Sequence, residues 1–426
     1  MHSLSESEHG LGVGRTSMNF SRTLFFAAIL LLMYPVHAAA QQKKQEALIE
    51  FDALIKAAVQ GDATAMAILG TIFLQGKAEP EDYKLAAQWL PIPAKQGNYL
   101  AHFFLGWLYF NGKGVSQDYA EAAKWLRAPA EKGNVLAQYY FGWMHFHGNG
   151  VPQNYAEAAT WLRTPAEKDN TVAQSYMGLM YLNGNGVPQD KAEAEKWLQK
   201  AAKHGNAIAQ ANLGSMYYHG NGVPRDYAEA ARWSLLAAKQ GTAIAQANIG
   251  AMYLEGLGVD QDYAQAAEWS RKAAEQGDSL AQANLGAMYL EGKGVAQDHS
   301  EAVKWSRKSA QQGNTNAQVS LGSMYIQGIG VPRDFAEAAK WFRMAAEQGD
   351  AIAQGMMGSI HFEGLGVSKN YREAYMWLTL SVNGWRDKKS PFFQQAKDLR
   401  DSVAREMNAQ QIAEAERLAK EWKPKR

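Results

Sequence analysis

The stretch Ala209-Gln-Ala-Asn-Leu-Gly214-Ser-Met-Tyr217-Tyr-His-Gly220-Asn-Gly222-Val-Pro-Arg-Asp226-Tyr-Ala-Glu229-Ala-Ala-Arg-Trp233-Ser-Leu-Leu-Ala237-Ala-Lys-Gln-Gly241 reads as two helices and the turn between them. Leu213 and Tyr217 stand four apart and share a helix face, and Gly214 between them lets another helix backbone come close. The paired glycines Gly220 and Gly222 supply the left-handed conformation that a helix C-terminus favours. Asp226 followed by Glu229 predicts a capping box opening the second helix, whose buried stripe runs through Ala230, Ala231, Trp233 and Ala237. Gly241 ends that helix.

Outward from this stretch the pattern repeats without an insertion or a deletion. Glycine recurs at Gly70, Gly106, Gly142, Gly178, Gly214, Gly250, Gly286, Gly322 and Gly358, always 36 residues apart. Tryptophan keeps the same step at Trp89, Trp125, Trp161, Trp197, Trp233, Trp269, Trp305, Trp341 and Trp377. Each first helix (helix A) is preceded by a residue able to cap it: Asp62, Asn98, Asn134, Asn170, Asn206, Thr242, Asp278, Asn314 and Asp350. A period in this range that carries two helices predicts an all-α solenoid of nine repeats over residues 62–385. Residues 41–61 read as a linker and a half-repeat closing the N-terminal end. Residues 386–426 hold two more amphipathic helices, Pro391 to Ala404 and Asn408 to Trp422, that close the other. In the first repeat Ala78 replaces the second turn glycine and Leu85 breaks the capping box, which predicts a looser end.

The chain has 426 residues, with 43 basic against 42 acidic side chains, so there is no electrostatic excess for nucleic acid or an anionic membrane. With no cysteine, disulfides, thiol catalysis and thiolate metal sites are excluded. Residues 1–40 are read as an export signal, with Met18 as its true start. A short basic segment through Arg22, 13 apolar residues from Leu24 to Val36, and Ala38-Ala39-Ala40 before Gln41 have that layout. Thirteen apolar residues fall short of the roughly 20 that span a bilayer, so no stable membrane insertion is expected after cleavage, and the expected location is periplasmic or secreted.

The repeated string Ala-Gln-Ala-Asn-Leu-Gly-x-Met-Tyr, Gly-x-Gly-Val, Asp-Tyr-Ala-Glu-Ala-Ala-x-Trp and Ala-Ala-x-Gln-Gly resembles the Sel1-like repeat (SLR) family, relatives of tetratricopeptide repeats. The resemblance spans about residues 46–422. It implies a right-handed superhelix whose concave side binds partner proteins, and for exported bacterial members an envelope scaffold, a regulator or a factor that meets host proteins. One exported, cysteine-rich branch binds penicillin-type compounds, which by analogy makes a β-lactam or cell-wall hydrolase the alternative; this chain lacks that branch's cysteines. A passive envelope spacer is the third option.

Because the scaffold positions repeat, a partner site is sought where repeats differ. Phe103, Trp107 and Phe110 in the second repeat, and Tyr139, Trp143 and Phe146 in the third with His147 beside them, make two aromatic columns, where the fifth repeat has Ala211, Ser215 and Tyr218 and the sixth Ala247, Ala251 and Leu254. Rings of this kind anchor protein interfaces, a glycan-bearing host or envelope protein included, and they also serve as packing between successive A helices. Trp107 and Trp143 are expected to be removable together without loss of fold. Pro93, Pro129 and Pro165, four residues after the tryptophan in the first three repeats only, predict bent second helices (helix B) there. A weaker candidate is the acidic row Glu255, Glu291 and Glu363 at the ends of A helices, with Gln327 between. No catalytic residue, cofactor or metal is expected: His145 and His147 lie two apart on a helix and face different ways. The Gly-x-Gly strings follow helices and lack the rest of a phosphate loop.

Overall fold

The computed structural model describes residues 53–74 and 79–425, and every regular element in them is an α-helix. The proposed signal, most of the linker before residue 53, and Ala78 lie outside the described residues. Two compact bodies divide after Trp161.

In the N-terminal body, the helical stretch 53–59 buries Ile55 and Ala58. It leads into α1 (Ala63–Leu74), α2 (Pro80–Trp89), α3 (Pro91–Lys95), α4 (Tyr99–Asn111), α5 (Tyr119–Glu131) and α6 (Val135–His147), and α7 (Tyr155–Glu167) crosses the division. The C-terminal body continues with α8 (Thr171–Asn183), α9 (Lys191–Lys203), α10 (Ala207–His219), α11 (Tyr227–Lys239), α12 (Ala243–Glu255), α13 (Tyr263–Glu275), α14 (Ser279–Glu291), α15 (His299–Gln311), α16 (Thr315–Gln327), α17 (Phe335–Glu347), α18 (Ala351–Glu363) and α19 (Tyr371–Gly384). Within each body, helices pack chiefly on their sequence neighbours, which is the contact pattern of an α-solenoid.

The caps account for the sharp boundaries. Eight of the nine predicted residues accept backbone N–H bonds at the start of an A helix. Thr242 keeps the same extended backbone and makes no such bond. At the B helices the predicted boxes form only halfway. Asp226 accepts from the Glu229 N–H at 3.0 Å, while the Glu229 carboxylate turns outward to Arg232 at 2.8 Å. Glu193 likewise turns to Lys196 at 2.9 Å, because an ion is on offer one turn ahead. In the first repeat the helix starts earlier, where Asp82 accepts the Glu79 N–H at 2.8 Å, so Leu85 costs the cap nothing.

Two glycines show why the period tolerates no drift. A Cβ on Gly214 would sit 2.4 Å from Ser234 Oγ and 3.2 Å from the Ser234 nitrogen, so helices A and B of one repeat touch backbone to side chain there. Gly258 has φ +72°, and a Cβ would fall 1.9 Å from the Tyr227 carbonyl oxygen, so each turn seats on the first residues of the preceding B helix.

The prolines of the second and third repeats do not interrupt their B helices. Pro129 and Pro165 lie inside unbroken helices, each near the last turn, where one lost N–H bond is tolerated. Only the first repeat breaks, at Leu90 between α2 and α3, because Pro91 and Pro93 remove two donors in succession.

Two closing helices, α20 (Pro391–Arg405) and α21 (Ala409–Glu421), cover α19. Trp422 meets Trp377 edge-on at 6.3 Å, and Asn408 with Gln411 forms a full capping box. Lys425 ties back to Glu347 through a 2.8 Å backbone bond and a 2.9 Å ion pair. Among the described residues no helix is long and apolar enough to cross a membrane.

Candidate functional site

The A helices expose one face, and its phase is set by 100° per residue. In α6 the line Leu136, Tyr140, Trp143 and His147, spaced four, three and four, is exposed at its ends, Leu136 and His147, with Tyr140 and Trp143 half-buried. The predicted column Tyr139, Trp143 and Phe146 runs beside that line, shares Trp143 with it and is half-buried throughout.

The consequence is clearest in α4. Phe103 is 2% exposed and Trp107 8%, so both are interior and neither is presented to a partner. They are covered by Tyr140 of the next A helix, a residue the sequence reading passed over. The Trp107 Nε1–H donates to the Tyr140 hydroxyl at 3.0 Å, Phe103 lies 6.4 Å from the Tyr140 ring, and Phe110 lies 4.8 Å from it. Burial pushes the Tyr140 hydroxyl above its usual pKa, partly opposed by the bond from Trp107. Beneath, Tyr83 stands 6.1 Å from Trp107 and Phe73 6.3 Å from Phe104, extending one aromatic layer from the first repeat into the third.

Above this layer the remaining predicted rings reach solvent. Trp143 is half-buried, held at 4.9 Å by Phe110 and at 5.8 Å by Tyr119, and His147 lies over it at 4.4 Å. Phe146 packs 5.3 Å from Tyr155 and 5.1 Å from His147, and Tyr139 leans 5.0 Å from Tyr140. His147 is exposed at its edge, yet burial of its ring against Trp143 lowers its pKa, favouring the neutral imidazole. Leu136, 37% exposed, borders the same surface. His145 packs on Phe141 at 4.9 Å, away from His147. Among the described residues no group of three or more His, Asp or Glu is placed to hold a metal ion.

In the C-terminal body the same helical face carries different side chains. Ile208, Ile244 and Leu280 are 48%, 63% and 49% exposed along one edge. Half-buried Asn212, Asn248 and Asn284 follow four residues on, then Ser215, Ala251 and Ala287. His219, Glu255 and Glu291 close the other edge, all exposed, as is Glu363 at the end of α18. Glu291 pairs with Lys293 at 2.6 Å.

No curated protein matches the sequence. Among solved structures, a Sel1 repeat protein from Oxalobacter formigenes is 36% identical, covering 72% of this chain and 89% of its own, with a TM-score of 0.52. A protective antigen of uropathogenic Escherichia coli with an SLR fold is 33% identical over 87% of this chain and 94% of its own, with a TM-score of 0.47. The Sel1 repeat pattern matches residues 63–98, 100–134, 135–170, 171–206, 207–242, 243–278, 279–314, 315–350 and 351–383. Nine matches in register, on helices paired as described, make this chain a member of the Sel1 repeat family, whose proteins are generally scaffolds for protein–protein interaction.

Proposed function

We propose that this protein is an exported scaffold that holds a partner protein on the exposed face of its A helices, with the aromatic surface of Tyr139, Trp143, Phe146 and His147 as its anchor. The observation that carries the reading is the way Trp143 is fixed: Phe110 and Tyr119 hold one side of the ring at 4.9 and 5.8 Å while the residue stays half-exposed. A ring immobilised beforehand costs little rotamer entropy on binding, which is what an interface anchor requires. Export is supported by the layout of residues 18–41, and places the partner in the envelope or outside the cell.

The test is affinity capture from envelope extracts and host secretions, with the wild type beside Trp143→Ala/His147→Ala. A partner retained by the wild type and lost by the equally helical variant is expected; identical captures by both would overturn the site. Trp107 is unsuitable as a companion mutation because it is interior. Export is checked by N-terminal sequencing of the protein from osmotic-shock fluid and medium, where a start near Gln41 is expected and retention in the cytoplasm would refute it.

A further inference from the structure

We propose that the exposed face of α10, α12 and α14 is a track for an extended polypeptide segment carrying aliphatic and basic side chains. This site shares no residue with the aromatic surface, and its success or failure is separate from that of the aromatic anchor.

The face has three lanes. One edge is aliphatic: Ile208, Ile244 and Leu280, each 48% exposed or more, repeat at one helical position in three successive repeats, where folding gives them nothing to bury against. The middle is amide. Asn212 donates to the Ile208 carbonyl at 2.8 Å, which leaves its side-chain oxygen for a ligand, and Asn248 and Asn284 make no side-chain hydrogen bond to any described residue. Ser215, Ala251 and Ala287 beside them are small enough to leave the amides reachable, where the third repeat fills the same position with Trp143. The other edge is acidic: Glu255 has no cation paired with it among the described residues, and Glu291 has only Lys293.

A side-chain amide offers an NH2 donor and a carbonyl acceptor, the complement of a peptide group, and it reads backbone without regard to sequence. Successive A helices here are in contact, which sets their axes about 8–10 Å apart. That step matches three residues of a chain extended in the polyproline II form at about 3.1 Å each, whose three-residue turn brings every third peptide group back to the asparagine side. Its side chains leave the axis in three directions, which sends one set to the aliphatic edge, a second to the carboxylates and the third to solvent. Charge complementarity selects lysine or arginine for the second set.

The experiment is panning of a phage-displayed library of random twelve-residue peptides on the full chain, with the enriched peptides then synthesised and titrated by fluorescence anisotropy. Enriched sequences are expected to combine aliphatic with Lys or Arg residues. Asn248→Ala/Asn284→Ala should weaken them at least tenfold with an unchanged circular dichroism melt, and Ile244→Ser/Leu280→Ser similarly. Glu255→Gln/Glu291→Gln should weaken them at least threefold and flatten the salt dependence. Trp143→Ala/His147→Ala should leave these titrations unchanged. No enrichment above a blank surface, enrichment without basic and aliphatic residues, or equal affinity for the asparagine variant would each overturn the proposal.

Discussion

Gln276 donates an Nε2–H to Oε1 of Gln246 at 2.7 Å, and Gln246 donates its own amide to the Ala238 carbonyl at 3.1 Å. The same relay joins Gln240 to Gln210, Gln312 to Gln282 and Gln348 to Gln318 at 2.8, 2.8 and 2.9 Å. Each acceptor glutamine is 5% exposed or less, so the last carbonyls of one B helix, the next A helix and the next B helix are joined by buried polar contacts. Gln246→Ala removes two buried side-chain bonds and leaves the Ala238 carbonyl with the Gly241 N–H and the Gln276 amide with the Gly241 carbonyl, each at 3.0 Å. It should cost about 2–3 kcal/mol in urea denaturation, against about 0.5 kcal/mol or less for an exposed change such as Lys239→Ala.

The ladder stops short within the C-terminal body at Gln174. Its Nε2 donates to the Ala166 carbonyl at 3.0 Å, but its buried Oε1 has no hydrogen-bond partner, because position 204 holds histidine and His204 Nδ1 lies 2.9 Å from the Lys200 carbonyl. His204→Gln should add one rung and stabilise the protein by about 1 kcal/mol, read from the shift of the denaturation midpoint.

Gly241 and Gly258 both have positive φ, yet a Cβ on Gly241 meets nothing within 4 Å while one on Gly258 falls 1.9 Å from the Tyr227 carbonyl oxygen. Gly241→Ala should therefore cost about 1 kcal/mol, the backbone strain alone, and Gly258→Ala about 3 kcal/mol or more, since backbone must move. Equal losses in thermal or urea denaturation would show that the second glycine serves only its φ angle.

His361 takes the place of the tyrosine found in most repeats. It is 6% exposed, its Nε2 lies 3.2 Å from the Arg343 guanidinium, and burial holds its pKa below 6.5, with Arg343 acting the same way and Glu373 and the Ser368 backbone against. A guanidinium can only donate, so Nε2 accepts and the ring is neutral. With the folded pKa depressed, the unfolded chain binds more protons below pH 6.5, and stability falls as pH drops through the interval between the two values. His361→Tyr, whose hydroxyl can meet Arg343 as Tyr325 meets Arg307 at 2.8 Å, should flatten that part of the pH–stability curve. The remaining slope includes His147, which is shifted the same way.

Trp107→Ala empties an interior site and strands the Tyr140 hydroxyl. It should destabilise by about 3 kcal/mol, whereas Trp143→Ala should cost about 1 kcal/mol. Chemical denaturation of the two single variants separates them; equal losses would mean that Trp143 is core as well.

Repeat number, helix boundaries and the role of Gly214 were legible because each is written in local chemistry and copied every 36 residues. Asp226, Asn206 and Gly220 act on backbone groups within four residues of themselves, so their reading needs no knowledge of the rest of the chain. The half-formed boxes were not legible, since whether Glu229 folds back or reaches Arg232 depends on competing ions. The aromatic columns were misread for a related reason. Phe103 and Tyr139 look alike in sequence, and which of them is interior depends on what the next helix lays over it.

The sequence by itself determined the fold class, the two-helix repeat and its helix boundaries, because periodic glycine, tryptophan and capping residues act through short-range backbone sterics and hydrogen bonds. Only the tertiary structure decided the face. One residue of rotation, 100° on a helix, separates Tyr139 from Tyr140, and the packing of neighbouring helices turns Tyr140 over Trp107 while leaving Trp143 and the asparagines of later repeats open. Burial is a property of what lies across the interface, and that partner is 33 residues away for Trp107 and Tyr140.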